Sequence, residues 1–221
     1  LRKDGTPVVL ETSGVPIFDK GGGYCGYRGI ERDITERKRA DQATQERLRR
    51  TEAQLQIVGQ VGQAEALLSG DVETLAREIT ELAPQASGCE RTNVWLFNDD
   101  ESELHCIDLY EATPQRHSAG MILHESEFRS ELGIIKSVKY VDAHDALTDP
   151  RTHGYAEGYL RPLGITSMLD ASIQASGRTF GLLCFEHVGR EHHWEQDEIA
   201  FACQLADKIG FAIVSRKRRE A

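Results

Sequence analysis

"GITSMLDASIQASGRTFGLLCFEHVG" (residues 164–189) carries two apolar-rich runs on either side of Ala175-Ser176-Gly177. That pattern predicts two paired strands, "TSMLDASIQ" and "RTFGLLCFEHV", joined by a tight turn. On the C-terminal side, "DEIAFACQLADKIGFAIVSRKRRE" places Ile199, Ala202, Leu205, Ala206, Ile209 and Ile213 at helical steps. On the N-terminal side, "SVKYVDA" reads as a short strand and residues 127–135 as a helix. "RTNVWLFNDDESELHCIDLYEA" reads as a hairpin around Asn98-Asp99-Asp100. "DVETLAREITELAPQAS" is an amphipathic helix with Leu75, Ile79 and Leu82 on one face. From about Val72 onward the chain is therefore α+β.

"GITSMLDASI", "GRTFGLLCFEHVG", the tryptophan at 194 and "DEIAFACQLADKIGFAI" follow one another in the order and spacing of a GAF domain. The chain resembles that family over nearly all of residues 55–215. The resemblance implies a central antiparallel sheet, the first and last helices together on one face, and a ligand pocket under loops on the other. One departure is Glu195, where the family often has Ser or Thr after the tryptophan. A weaker helix cap, or one supplied by a neighbour, is expected there.

Residues 35–69 contain no proline and are dominated by Ala, Gln, Glu, Leu and Arg. Thr44, Leu48, Thr51, Leu55 and Val58 recur at steps of four and three, a partly polar coiled-coil seam. Such a helix buries too little to hold still alone, so a parallel homodimer is expected through this helix and the terminal one. A solvated single helix is the alternative. Gly59 and Gly62 weaken the helix and mark a bend into the next domain.

Residues 1–34 alternate as two strands about Gly21-Gly22-Gly23, which suits a hairpin tip. "RKDGTPVVLETSGVPIFDKGGGYCGYRGIERDITERKRAD" resembles the last two strands of a PAS domain with its exit signature, Asp33-Ile34-Thr35. Asp33 or Thr35 can cap the following helix. The resemblance reaches about the last third of a PAS domain, without its cofactor-binding part. The expected organisation is thus a PAS hairpin (1–34), a signalling helix (35–69), a GAF domain (70–216) and the start of a linker to a missing output domain (217–221).

The net charge of −10 excludes a nucleic-acid partner as the reading of choice, and the basic run Arg216 to Arg219 reads as a solvated helix end. No apolar run approaches the ~20 residues of a membrane span. Five scattered cysteines without a CxxC suit free thiols in a reducing cytoplasm. Cys184 reads as core packing. The eight histidines show no metal-ligand spacing; His187 reads as a structural hydrogen-bonding residue.

No Walker loop, GGDEF, GxSxG or nucleophile beside a base is present, so the chain is not expected to be an enzyme. Glu65-Ala66-Leu67 lacks the metal ligands of the phosphodiesterases whose motif it spells. The Asn-Lys and Phe of cyclic-nucleotide GAF domains are missing. His105-Cys106 reverses the order of a bilin attachment site, and nothing singles out a haem ligand; the cofactor stays unassigned. The polar segment 142–161 falls where the family's pocket-lining loop and helix lie. Asp145, Asp149, Arg151, Tyr155 and Tyr159 are its candidate ligand-binding residues, the tyrosines sharing a helix face. The competing reading has Asp149-Pro150-Arg151 capping a helix and the tyrosines closing the core. The function expected is a cytoplasmic sensory fragment of a bacterial signalling protein, feeding a histidine kinase or a diguanylate cyclase. The rival is a ligand-free dimerisation and spacing module.

Overall fold

Strands that alternate in phase on two faces need cover on both, and the computed structural model, which describes residues 5–220, supplies it unequally in two units. Leu1 to Asp4 of the expected hairpin piece, and Ala221 of the expected linker, lie outside the described residues. The units divide inside one helix, between Arg49 and Arg50.

The first unit is a hairpin of β1 (Leu10–Phe18) and β2 (Tyr24–Asp33) running into α1 (Thr35–Gly62). At the tip, Asp19 Oδ1 accepts from the amides of Gly21 and Gly23 at 2.8 and 2.7 Å. The strands are exposed almost throughout, with Val15, Tyr27 and Ile30 bare of cover in this unit. At the junction, Asp33 Oδ1 accepts from the Thr35 amide at 2.9 Å. Thr35 Oγ1 does not cap the helix but accepts from the Val9 amide at 2.9 Å, tying strand to helix.

In the second unit, Gln54, Ile57 and Val61 of α1 turn inward and are buried, while Leu55 stays exposed. The helix stops at Gly62 rather than continuing to residue 69. After two non-helical residues a separate short α2 (Glu65–Ser69) begins. Then come α3 (Val72–Leu82), whose N-cap Asp71 accepts from Thr74 N, and α4 (Pro84–Ser87). Strands β3 (Arg91–Phe97), β4 (Glu103–Glu111), β5 (Arg116–Ser118) and β6 (Ile122–His124) lead to α5 (Arg129–Ser137) and β7 (Tyr140–Ala143). A 3₁₀ turn at His153–Tyr155, a π turn at Ala156–Leu160 and α6 (Arg161–Leu163) precede β8 (Ile165–Ala175), β9 (Arg178–Val188) and α7 (Gln196–Glu220).

All ladders are antiparallel, in the order β5-β4-β3-β9-β8-β7, with β6 also on β4. The β8–β9 turn has Ser176 and Gly177 both at positive φ, 52° and 76°. That geometry matches the twist of a two-residue hairpin. One face of the sheet, through Val94, Leu169, Ala171, Ile173, Leu183 and Phe185, packs on α1, α3 and α7. Phe185 and Phe201 meet edge to face at 6.1 Å between ring centres. Buried side chains of this size contribute about 1.5–3 kcal/mol each. Gly210 lets α7 lie close on β8: a Cβ there would stand 2.8 Å from the Gln174 carbonyl oxygen. The other face carries a second core around Trp95, Leu104, Leu132, Leu160 and Met168.

Candidate functional site

Because a strand alternates its faces, the second face of the sheet is written by every other residue. On β3 these are Arg91, Asn93 and Trp95; on β9, Leu182, Cys184 and Glu186; on β8, Met168, Asp170 and Ser172. The register sets Asn93 opposite Cys184 and Cys184 opposite Asp170, so three polar side chains form one row across three strands. The next row holds Glu111, Arg91, Glu186 and Met168. Above the rows lies a narrow cavity of about 30 Å³, lined by Asn93, Asp170, Cys184, Glu186 and Trp95 and covered by Tyr155 and Tyr159.

The second row is electrically complete. Arg91 Nε donates to Glu186 Oε2 at 2.8 Å and Arg91 Nη1 to Glu111 Oε1 at 3.2 Å. Tyr159 Oη donates to Glu186 Oε1 at 2.7 Å, and Cys184 Sγ to the same oxygen at 3.6 Å. The first row is incomplete. Asp170 is 6% exposed and its Oδ1 has no hydrogen-bond partner among the described residues. Burial pushes its carboxyl up to about 7, against a hydrogen bond from Cys184 that lowers it, and the neighbouring Glu186 adds to the rise. Trp95 Nε1 donates to Asn93 Oδ1, which fixes the amide's orientation and leaves Asn93 Nδ2 buried without a partner. Burial likewise raises the Tyr155, Tyr159 and Cys184 groups well above their usual range, so all three stay neutral near pH 7.

Of the five residues expected here from sequence, only the two tyrosines reach the cavity. They do not share an α-helical face, because the backbone passes through the 3₁₀ turn into the π turn between them. Tyr155 packs on Phe128 at 5.1 Å between ring centres. Asp145, Asp149 and Arg151 do not converge on the cavity. Asp145 accepts from Leu147 N and Thr148 Oγ1 at 3.1 and 2.6 Å. Arg151 bridges Asp149 and Asp142 at 2.7 and 3.0 Å. A loop must satisfy its own polar groups, and these three residues are spent on that task. Cys184, expected to be core packing, is buried but sits in the cavity floor. Asn93, Asp170 and Glu186 were not read as site residues. The signal that marks them is polar residues at the same phase in three otherwise apolar strands, Arg91 and Asn93, Asp170 and Ser172, Cys184 and Glu186.

A second cluster joins α1 to the start of α7. Arg50 Nε donates to Asp197 Oδ2 at 2.7 Å and Arg50 Nη2 to Glu195 Oε2 at 2.8 Å. Glu198 Oε2 accepts from the Glu195 amide at 2.8 Å, the return half of a capping box. Of the two expectations at Glu195, a weaker cap or one taken over by a neighbour, this bond fits the second, with Glu198 satisfying the Glu195 amide. Burial works against the Glu198 charge, yet His192 and the Glu195 amide hold its carboxyl below the usual range. His187, fully buried, meets Glu90 through Nδ1 at 2.9 Å, and burial lowers its tendency to protonate. Among the described residues no group of His, Cys, Asp and Glu is arranged to hold a metal ion. No helix among them is long and apolar enough to cross a membrane.

Comparison with known proteins agrees with this architecture. The methanogenesis regulatory histidine kinase FilI of Methanothrix harundinacea is 24% identical over 232 residues, spanning 97% of this chain and 24% of that protein. The chain therefore spans about a quarter of the length of that relative. The GAF domain of a phosphoenolpyruvate-protein phosphotransferase from Coxiella burnetii superposes with a TM-score of 0.59 at 18% identity, covering 77% of this chain and 96% of the other. The phycoerythrobilin-bound GAF domain of a cyanobacterial phytochrome gives 0.63 at 16% identity, covering 76% and 98%. The GAF domain family itself matches residues 71–213, well over half of the chain. With its sheet order, its helical layer on one face and its cavity on the other, this chain belongs to the GAF domain family.

Proposed function

We propose that the chain is the sensory segment of a larger signalling protein, in which occupancy of the cavity is relayed through the helical layer to an output domain. One observation carries this reading. β8 and β9 present Asp170, Cys184 and Glu186 to the cavity and Leu169, Leu183 and Phe185 to the helices. Anything that shifts these strands from the cavity side is felt by α7 on the other side, because packed interiors transmit displacement. Arg50 then couples the start of α7 to α1. The similarity to a regulatory histidine kinase supports a kinase as the output, with a diguanylate cyclase as the other candidate. The hairpin of β1 and β2 is read as the end of a PAS-type domain and α1 as a signalling helix. Leu48 and Leu55, both exposed, are the seam through which two parallel copies pair. The chain itself carries out no catalysis in this reading.

A cavity of about 30 Å³ is small; an engineered cavity that takes benzene is ~150 Å³. Together with the Tyr159–Glu186 hydrogen bond closing it, this favours the rival, a ligand-free dimerisation and spacing module. Thermal unfolding across a broad metabolite and nucleotide library separates the two. A ligand that binds only the folded state adds ~2.7 kcal/mol at a hundred times its Kd. A flat response across the library is the result the spacer reading expects.

A further inference from the structure

We infer that the cavity floor at Asp170 and Asn93 is a receptor for a small organic cation, a primary amine with a hydrogen-bond acceptor a few atoms from its ammonium group. The inference rests on the sensory reading above and names the ligand class for that site. It follows from the charges left over in the row. Glu186 is compensated by Arg91, and its second oxygen is taken by Tyr159 and Cys184. Among the described residues Asp170 faces no cation, and its Oδ1 is unpartnered although the residue is buried. An anion would meet two carboxyls here, and a neutral apolar molecule would leave Oδ1 unsatisfied. An ammonium group answers the Asp170 carboxylate, and the aromatic walls of Trp95 and Tyr155 favour a cation further.

Asn93 supplies the other half. With its Oδ1 committed to Trp95, Nδ2 can only donate, so the far end of the ligand must accept. Asn93 and Asp170 lie on either side of β9, roughly 9–10 Å apart in backbone by the spacing of strands. A short bifunctional amine therefore spans them better than ammonium ion alone. The present free volume admits its charged head; the acceptor end requires Tyr159 to leave Glu186, which opens the covering turn.

The groups facing Asp170 are Cys184 and Glu186 on β9 and Tyr155 above, with Glu131 of α5 beyond Tyr155. Cys184 and Tyr155 hold their protons near neutrality and Glu186 is ion-paired, so Asp170 is the group whose proton must leave on binding. Affinity should then fall about tenfold per pH unit below 7.

Isothermal titration of the whole chain with ethanolamine, methylammonium, acetamide and acetate provides the test. Ethanolamine should bind more tightly than methylammonium, acetamide and acetate should not bind, and Asp170→Asn should weaken ethanolamine at least about tenfold. Titration of the unmodified chain in buffers of different ionisation enthalpy should show proton release near pH 7, a readout that stands even if Asp170→Asn does not fold. Equal binding of acetamide, or ethanolamine binding without proton release, overturns the inference. If the amines leave the melting temperature unchanged while another library member raises it, the cation assignment fails and the sensory reading stands. If nothing raises it, both fail.

Discussion

Asp170 holds its proton in a place where giving it up is costly, and that sets a pH dependence. Its carboxyl moves from 3.8 to about 7 on folding, chiefly through burial. Between those values the folded chain binds a proton that the unfolded chain has lost. The stabilisation from that proton is full below about pH 4 and is lost as pH rises through about 7. Three units correspond to an upper figure of roughly 4 kcal/mol. Asp170→Asn has no such group, so it should match the parent in acid and exceed it by a few kcal/mol at pH 8 in urea denaturation. Arg151 illustrates the opposite case. Its two ion pairs are more than a third open to water on the arginine side, so Arg151→Ala should cost under about 1 kcal/mol and leave any ligand response intact. Sequence made the reverse choice, because Arg151 stands in a conspicuously polar loop while Asp170 hides in an apolar strand. What distinguishes them is which charges find partners, and partners come from the register of three strands.

The longer elements were readable because each has a strong local signature, whereas short ones such as β5 and β6, three residues each, were not. α7 repeats its apolar residues at helical steps, and the β8–β9 turn sits where Gly177 takes positive φ readily, with Ser176 held there beside it. The end of α1 at Gly62 was half visible: glycine signals weakness, but the last turn is held by Val61, which is buried in the same core as α3 and α7. The 3₁₀ and π turns at residues 153–160 had no signature, since Tyr155 and Tyr159 at a spacing of four read equally well as a regular helix. Gly210 allows a test of close packing between α7 and β8. Alanine there gains about 1 kcal/mol of helix propensity. Against that, its Cβ meets the Gln174 carbonyl at 2.8 Å, and overpacking costs about 1–3 kcal/mol. Gly210→Ala should therefore lower the Tm despite being the better helix former. Arg50→Met should speed hydrogen exchange in the first turn of α7, because the helix loses the guanidinium shared by Glu195 and Asp197.

At the scale of the whole molecule, the proposed pairing of two copies carries its own test. Leu48 and Leu55 are exposed, a seven-residue repeat that fits a shared helical seam. The paired substitution Leu48→Lys with Leu55→Lys should convert a dimer to a monomer in sedimentation velocity, since charge in a dry seam costs several kcal/mol. A dimer that survives it would move the interface elsewhere. Val58, placed in the same seam from sequence, leans instead on the chain's own core with Ile57 and Val61. Periodicity alone does not say which of two partners a helix face will meet. The family was legible from four short stretches in order, because they hold the sheet's middle and its covering helix. The cavity chemistry was not, because it is assembled only when those stretches lie side by side.

The alternation of faces from Leu182 to Glu186 makes this stretch of β9 reversible in an unwelcome sense. Deleting one residue between Gly181 and Cys184 would exchange the two sides of the strand beyond the cut. Leu183 and Phe185 would then look into the cavity, while Cys184 and Glu186 would face Leu205 and Phe201. A misthreaded strand of this kind would turn the sheet inside out, leaving Arg91 with Glu111 alone and a carboxylate lodged in oil. The phase is set by the two-residue turn at Ser176 and Gly177 together with the bulge at Phe180 that follows it, so both faces of the sheet depend on that short corner of the hairpin.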